Sequence, residues 1–168
     1  KIYAIGGVGR SSGAVATVEV YDPASDTWEG KSPMPTRREH LAVGVVDVQI
    51  YAIGGRGAGN GDSNEVYDPR TDTWSRRAAK PTARSGIAAA VLDDRVYVFG
   101  GEEIGGTFDE NEAYDPANDS WEQLAPMPTS RHGLGAGAVG DTIYVIGGGT
   151  TPGGLANSNL NEAFTPQE

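Results

Sequence analysis

Four phased copies of one pattern run through the chain, and a repeat of this period decides the architecture before any local reading does. A Tyr-Ala/Val-Ile/Phe-Gly-Gly signature occupies residues 3–7, 51–55, 97–101 and 144–148, with steps of 48, 46 and 47 residues between the first glycines, Gly6, Gly54, Gly100 and Gly147. Glu-x-Tyr/Phe follows each time, at Glu19/Tyr21, Glu65/Tyr67, Glu112/Tyr114 and Glu162/Phe164, and Trp28, Trp74 and Trp121 each stand seven residues after the Tyr. Ten residues further on come Arg38, Arg84 and Arg131, and sixteen after those the next double glycine. Only the interval from the second Gly to the Tyr/Phe varies, at 14, 12, 13 and 16 residues. All length variation therefore falls in one loop per repeat.

Each repeat divides into four short strands, a to d. In the second repeat strand a is expected at residues 40–46, b at 49–53, c at 64–67 and d at 72–77. Residues 46–48 turn a into b, and 68–72 turn c into d, where the Asp68 carboxylate can bond the backbone ahead and Pro69 presets its φ. Strand b is apolar at successive positions, which requires cover on both faces of the sheet. Gly133, Gly135 and Gly137 suggest close backbone approach in strand a. Tyr and Trp should pair across the c-to-d turn. Antiparallel order brings the d-to-a and b-to-c loops to one end, and loops of varying length gathered on a single face mark a binding face.

These residues resemble the kelch family: a double glycine closing an apolar strand, a Tyr-Asp-Pro, and a Trp seven residues after the Tyr. WD-repeat propellers share the period, yet no Trp-Asp pair closes any repeat here. The resemblance covers essentially the whole chain. It implies an all-β fold of kelch-type β-propeller blades, each of four antiparallel strands, over residues 1–33 (partial), 38–79, 84–126 and 131–168 (partial). The strand order b-c-d, a-b-c-d, a-b-c-d, a-b-c is an incomplete circle, since propellers of this family close with six or seven blades. The expectation is a longer chain or closure by association. Two copies joined end to end would set a-b-c beside b-c-d, out of frame, which disfavours a seamless homodimer.

At 168 residues one architecture accounts for the chain. Its formal charge of -10 repels phosphate backbones, so nucleic acid is excluded as a partner. No apolar stretch reaches the roughly 20 residues of a membrane helix, and no membrane partner is expected. With no Cys, disulfides, thiolate metal sites and a cysteine nucleophile are excluded, while the compartment stays open. No cofactor or metal is expected: His40 and His132 are the only histidines and lack a third nitrogen or sulfur ligand, and Asp109, Glu110 and Glu112 lack the spacing of a calcium loop.

Candidate ligand contacts follow from the repeat. Arg38, Arg84 and Arg131 are expected at the channel mouth, where they either hold a carboxylate or short acidic peptide, or bond loop carbonyls and the periodic Glu residues. Glu39, Ser85 and His132 directly after them break the repeat, as do Arg10, Arg56, Glu102 and Glu103 in the loops, and specificity is expected at such positions. The recurring Glu19, Glu65, Glu112 and Glu162 read as inter-blade hydrogen-bonding groups. Together with the resemblance these features point to a module that binds a protein or peptide, with an acidic partner favoured, rather than to an enzyme. The resemblance also brings in carbohydrate-active relatives. A copper oxidase of the family needs a Tyr-Cys crosslink this chain cannot make, whereas a sialic acid mutarotase-like reading would use one of the three arginines on the sugar carboxylate with His132 or Glu39 moving protons. A propeller fragment that only self-assembles is the third reading.

Overall fold

The computed structural model describes residues 1–10, 13–58, 61–154 and 156–167, and within them the chain is all-β. A first antiparallel sheet is built from β1 (Ile2–Ile5), β2 (Val18–Asp22) and β3 (Thr27–Lys31). The two-residue β4 (Arg38–Glu39) precedes a second sheet of β5 (Ala42–Val46), β6 (Gln49–Ile53), β8 (Asn64–Asp68) and β9 (Thr73–Arg76), while β7 (Arg56–Gly57) pairs with β4. The third sheet holds β10 (Ala88–Leu92), β11 (Arg95–Phe99), β14 (Asn111–Asp115) and β15 (Ser120–Gln123), and β12 (Glu102–Glu103) and β13 (Gly106–Thr107) form a small separate hairpin in the connection from β11 to β14. The fourth sheet is β16 (Gly135–Val139), β17 (Thr142–Ile146) and β18 (Asn161–Phe164). Sheets of three, four, four and three strands form an incomplete arc of propeller blades.

Blade stacking buries the core. Val18, Met34 and Ala52 pack between the first and second sheets, and Ala42, Val46, Ile53, Val66, Val96, Val98 and Tyr114 between the second and third. Between the third and fourth lie Tyr97, Phe99, Ala113, Ile143 and Val145. β6 and β11, covered on both faces, are buried at four successive positions, whereas β1 alternates because one of its faces is open. Continuous hydrophobicity in strand b thus reports a strand sandwiched between two sheets.

Local chemistry sets the turns. The Asp22, Asp68 and Asp115 carboxylates accept from the backbone N–H two residues on, at 3.0, 2.9 and 2.9 Å. Four residues later Asp26, Asp72 and Asp119 take left-handed φ of 53°, 55° and 48°, a conformation Asp tolerates better than most residues. The expected aromatic pairs form at ring separations of 5.1 to 5.2 Å: Tyr21 with Trp28, Tyr67 with Trp74 and Tyr114 with Trp121.

Three expectations need correction. Strand a of the second repeat starts at Ala42 rather than residue 40, because His40 is left-handed at φ 55° and cannot continue a ladder. Gly133, Gly135 and Gly137 are not points of close approach: an added Cβ would meet nothing within 4 Å, since this side of β16 has no sheet against it. Among the strand-a glycines the crowded one is Gly44 of β5, whose Cβ would lie 2.7 Å from Val96 on the next sheet. Finally, Glu65 and Glu112 bond the connecting segment that enters their own sheet, not a strand of a neighbour.

Candidate functional site

The repeated arginines are anchors beneath the loop face. Arg38, Arg84 and Arg131 are all buried. Arg38 donates to Gly54 O at 2.6 Å, Ala52 O at 3.2 Å and Glu65 Oε2 at 2.8 Å, and Thr36 Oγ1 donates to the other Glu65 oxygen at 2.6 Å. Arg84 binds Gly100 O at 2.6 Å and Glu112, and Arg131 binds Gly147 O and Glu162 Oε2 at 2.7 Å. A buried guanidinium is tolerable only when a carboxylate and backbone carbonyls meet it, as they do at all three, although Nε of Arg38 and of Arg131 is left without a partner. The backbone carbonyl of each arginine meanwhile accepts from the second glycine of the preceding sheet: Gly7 N at 2.9 Å, Gly55 N at 3.3 Å and Gly101 N at 2.8 Å. A Cβ on Gly100, itself at φ 60°, would lie 2.4 Å from Arg131 O. The invariant spacing from Arg to the next double glycine reflects the side-chain bond to the first glycine's carbonyl in its own sheet, while the arginine's own carbonyl staples that blade to the one before it.

Above the staples the two loop types meet as main-chain ladders. Glu39 pairs with Arg56, Ser85 with Glu102, and His132 with Gly149. One residue further on, His40, Gly86 and Gly133 share left-handed φ of 55°, 64° and 60°, and Gly86 N donates to His40 O at 2.9 Å and Gly133 N to Gly86 O at 2.7 Å. This chain of hydrogen bonds runs from blade to blade.

On these ladders rests a cleft of about 720 Å³, lined by residues of the second, third and fourth repeats. Its charged groups form one network. Glu39 is bonded by Arg56 and His40, and Arg56 Nη1 lies 3.5 Å from Glu102 Oε1. Glu102 Oε2 faces His132 Nδ1 at 3.2 Å and accepts from Gly153 N at 3.0 Å, and His132 Nε2 faces Thr151 O at 2.9 Å. Both ring nitrogens of His132 thus face oxygen atoms, which fixes the ring between Glu102 and the loop at Thr151. Burial, and next the Arg56 charge, hold the His40 pKa below the ordinary histidine value. Ile104, in the two-residue turn between β12 and β13, is fully exposed at the rim.

A family model described as the KLHDC2/KLHL20/DRC7 Kelch-repeats domain matches residues 1–164. The chain belongs to the kelch-repeat family. Kelch-like protein 38 from Mus musculus is 41% identical to this kelch chain over 54 residues, which make up 32% of the chain and 9% of that protein. The Homo sapiens Kelch-like protein 38 is 37% identical over 54 residues, with the same coverage. The Influenza virus NS1A-binding protein homolog of Mus musculus is 40% identical over 55 residues, 33% of the chain and 8% of that protein. Each match thus spans little more than one kelch repeat and under a tenth of the relative.

Of the residues singled out by sequence, the kelch fold gathers Glu39, Arg56, Ser85, Glu102, Glu103 and His132 at or beside the cleft. Arg84 borders it from below, whereas Arg38 and Arg131 do not reach it, and Arg10 lies apart on an exposed turn of the first repeat. Missed were His40, Ile104 and the Pro152-Gly153-Gly154 wall. His40 did carry a signal: it stands where the other kelch repeats have Gly86 and Gly133.

Proposed function

We propose that the chain is a protein-interaction module whose ligand is an extended protein or peptide segment held in the cleft of the loop face. The observation that carries this reading is the cleft itself. Three repeats supply it, its walls bear the side chains that break the repeat, and an unburied Ile104 stands at its rim. An apolar anchor beside a few fixed polar groups is the usual composition of a peptide-binding site. The expectation of an acidic partner rested on Arg38, Arg84 and Arg131, and each of those guanidiniums already holds a carboxylate of the chain. The same pairing removes the groups a sugar carboxylate would need. Arg56 is left as the exposed cation, flanked by Glu39 and Glu102, so the cleft suits a segment that combines an apolar side chain for Ile104 with polar backbone groups.

Selection of peptides from a random display library against the whole chain tests this. Peptides recovered on the unmodified protein should bind Ile104→Asp and Arg56→Glu at least tenfold more weakly. Selected peptides that bind both variants undiminished would place the ligand site elsewhere.

A further inference from the structure

The ionic groups at the cleft do not balance. Glu39, Glu102 and Glu103 bring three carboxylates to it, and among the described residues Arg56 is the one guanidinium open to them: it bonds Glu39 and lies 3.5 Å from Glu102. Arg84, beneath the floor, is already matched by Glu112, as Arg38 is by Glu65 and Arg131 by Glu162. His40, held below the ordinary histidine pKa by burial and then by Arg56, adds no charge at neutral pH. Even an imidazolium at His132 would leave one negative charge in excess.

The excess sits on Glu103. It ends β12 directly before Ile104, it is exposed, and among the described residues no cation or hydrogen-bond donor meets its carboxylate. The corresponding positions, two residues past the double glycine, hold Gly9, Gly57 and Thr150. The blade therefore makes no use of this carboxylate, in contrast to Glu65 and Glu112, each buried against an arginine. A ligand that lays an apolar side chain on Ile104 also strips water from Glu103, one residue away. Covering an ionised carboxylate is costly unless a cation meets it.

Resting on the peptide-binding reading of the cleft, we propose that the segment it holds is cationic: a lysine or arginine pairs with Glu103, within two positions of the apolar side chain that covers Ile104. Arg56 stays with Glu39 and Glu102 and donates to main-chain carbonyls of the segment. The partner's charge is thus opposite in sign to the one the three repeated arginines suggest in the sequence. Two observations favour this occupant over a neutral or acidic segment. One is the unmatched Glu103 beside the apolar anchor; the other is the net charge of -10, which draws a cationic segment in and repels an acidic one. Arginine suits the position best, since its planar fork meets a carboxylate with two parallel hydrogen bonds.

Peptides selected from a random display library on the whole chain should carry Lys or Arg within two positions of an apolar residue, and selection on Glu103→Lys should return Asp or Glu there instead. Synthetic copies of the parent-selected peptides should bind Glu103→Lys about tenfold more weakly in isothermal titration calorimetry. Asp94→Asn removes a carboxylate from the turn between β10 and β11, at the far end of the sheets. It should change affinity less than about twofold, which separates pairing at Glu103 from general attraction to an acidic protein. Circular dichroism of Glu103→Lys should match the parent, because the fold makes no bond to that side chain. Selected peptides that lack a cation, affinity indifferent to Glu103→Lys, or an equal loss in Asp94→Asn would overturn the proposal. If those peptides still lose affinity in Ile104→Asp, the peptide-binding cleft stands without it; recovery of no peptide at all would overturn both.

Discussion

Lys80 stands where the other repeats have Met34 and Met127, and like them it is buried. Its ammonium bonds Thr82 O, to which Arg84 Nη1 also donates at 2.9 Å, so two cations crowd one carbonyl beside the single carboxylate of Glu112. Burial first, and then the Arg84 charge, lower the Lys80 pKa from 10.5 to about 7. The folded value lies below the unfolded one, so between about pH 7 and 10.5 the unfolded chain binds more protons and stability rises with pH. The cost is fully present below that window and vanishes above it. At 1.36 kcal/mol per pH unit the displacement corresponds to roughly 4 kcal/mol at pH 7, falling to about 2 kcal/mol at pH 9. Lys80→Met restores the residue of the other repeats, whose sulfur at position 34 accepts from Arg38 Nη2 at 3.2 Å. The variant should therefore be more stable than its parent by an amount approaching those values, with a gain that shrinks steadily toward pH 10. Urea unfolding of both proteins at each pH unit from 6 to 10 measures this directly, since other titrations cancel in the difference. A gain independent of pH, or a loss of stability at pH 7, would refute the assignment of a desolvated lysine at this position.

Three further outcomes follow from the same geometry. Glu112→Gln strands the buried Arg84 guanidinium and should cost about 3–5 kcal/mol in chemical denaturation, whereas Glu19→Gln at the exposed equivalent should change stability by no more than about 0.5 kcal/mol. His40→Gly replaces a left-handed histidine with the residue found at 86 and 133 and should stabilise by about 1 kcal/mol, seen as a higher melting temperature. His132→Leu removes the side-chain bond to Thr151 O and the group that faces Glu102, the carboxylate that holds Gly153 N, and exchange of the Gly153 amide should accelerate about tenfold; unchanged protection would show that His132 does not hold that loop.

Strands b and c of the second repeat were legible in the sequence to within a residue, because an apolar run bounded by glycine and a Tyr-Asp-Pro turn leaves little freedom for their ends. The position of Arg38 along the repeat was equally clear, but its depth was not. A spacing rule places a side chain on the chain, whereas burial depends on what the neighbouring blade lays over it. The recurrence of one arginine and one glutamate in each of three repeats does point to Arg38–Glu65, Arg84–Glu112 and Arg131–Glu162 as pairs, since a ligand site has no reason to recur with every blade. Cleft membership was harder to read. Arg56, Glu102 and His132 meet only through the offset between successive blades, and a lone Ile104 in a glycine-rich loop has no periodicity to mark it.

The two classes of residue differ in how the fold uses them. At Arg38, Arg84 and Arg131 the side chain itself makes the buried bonds, so any change of residue breaks them. At Glu39, Ser85 and His132 the fold uses the main-chain pairing to Arg56, Glu102 and Gly149, and that ladder is indifferent to the side chain it carries. The three repeats accordingly hold a carboxylate, a hydroxyl and an imidazole at one structural position without altering the backbone. His40 extends this to its limit, since there even the φ needed for the inter-blade bond is kept while a side chain is added. Chemistry can therefore diverge around the cleft at almost no cost to the arc of blades, which is the physical reason that the repeat breaks at the loop face and holds beneath it.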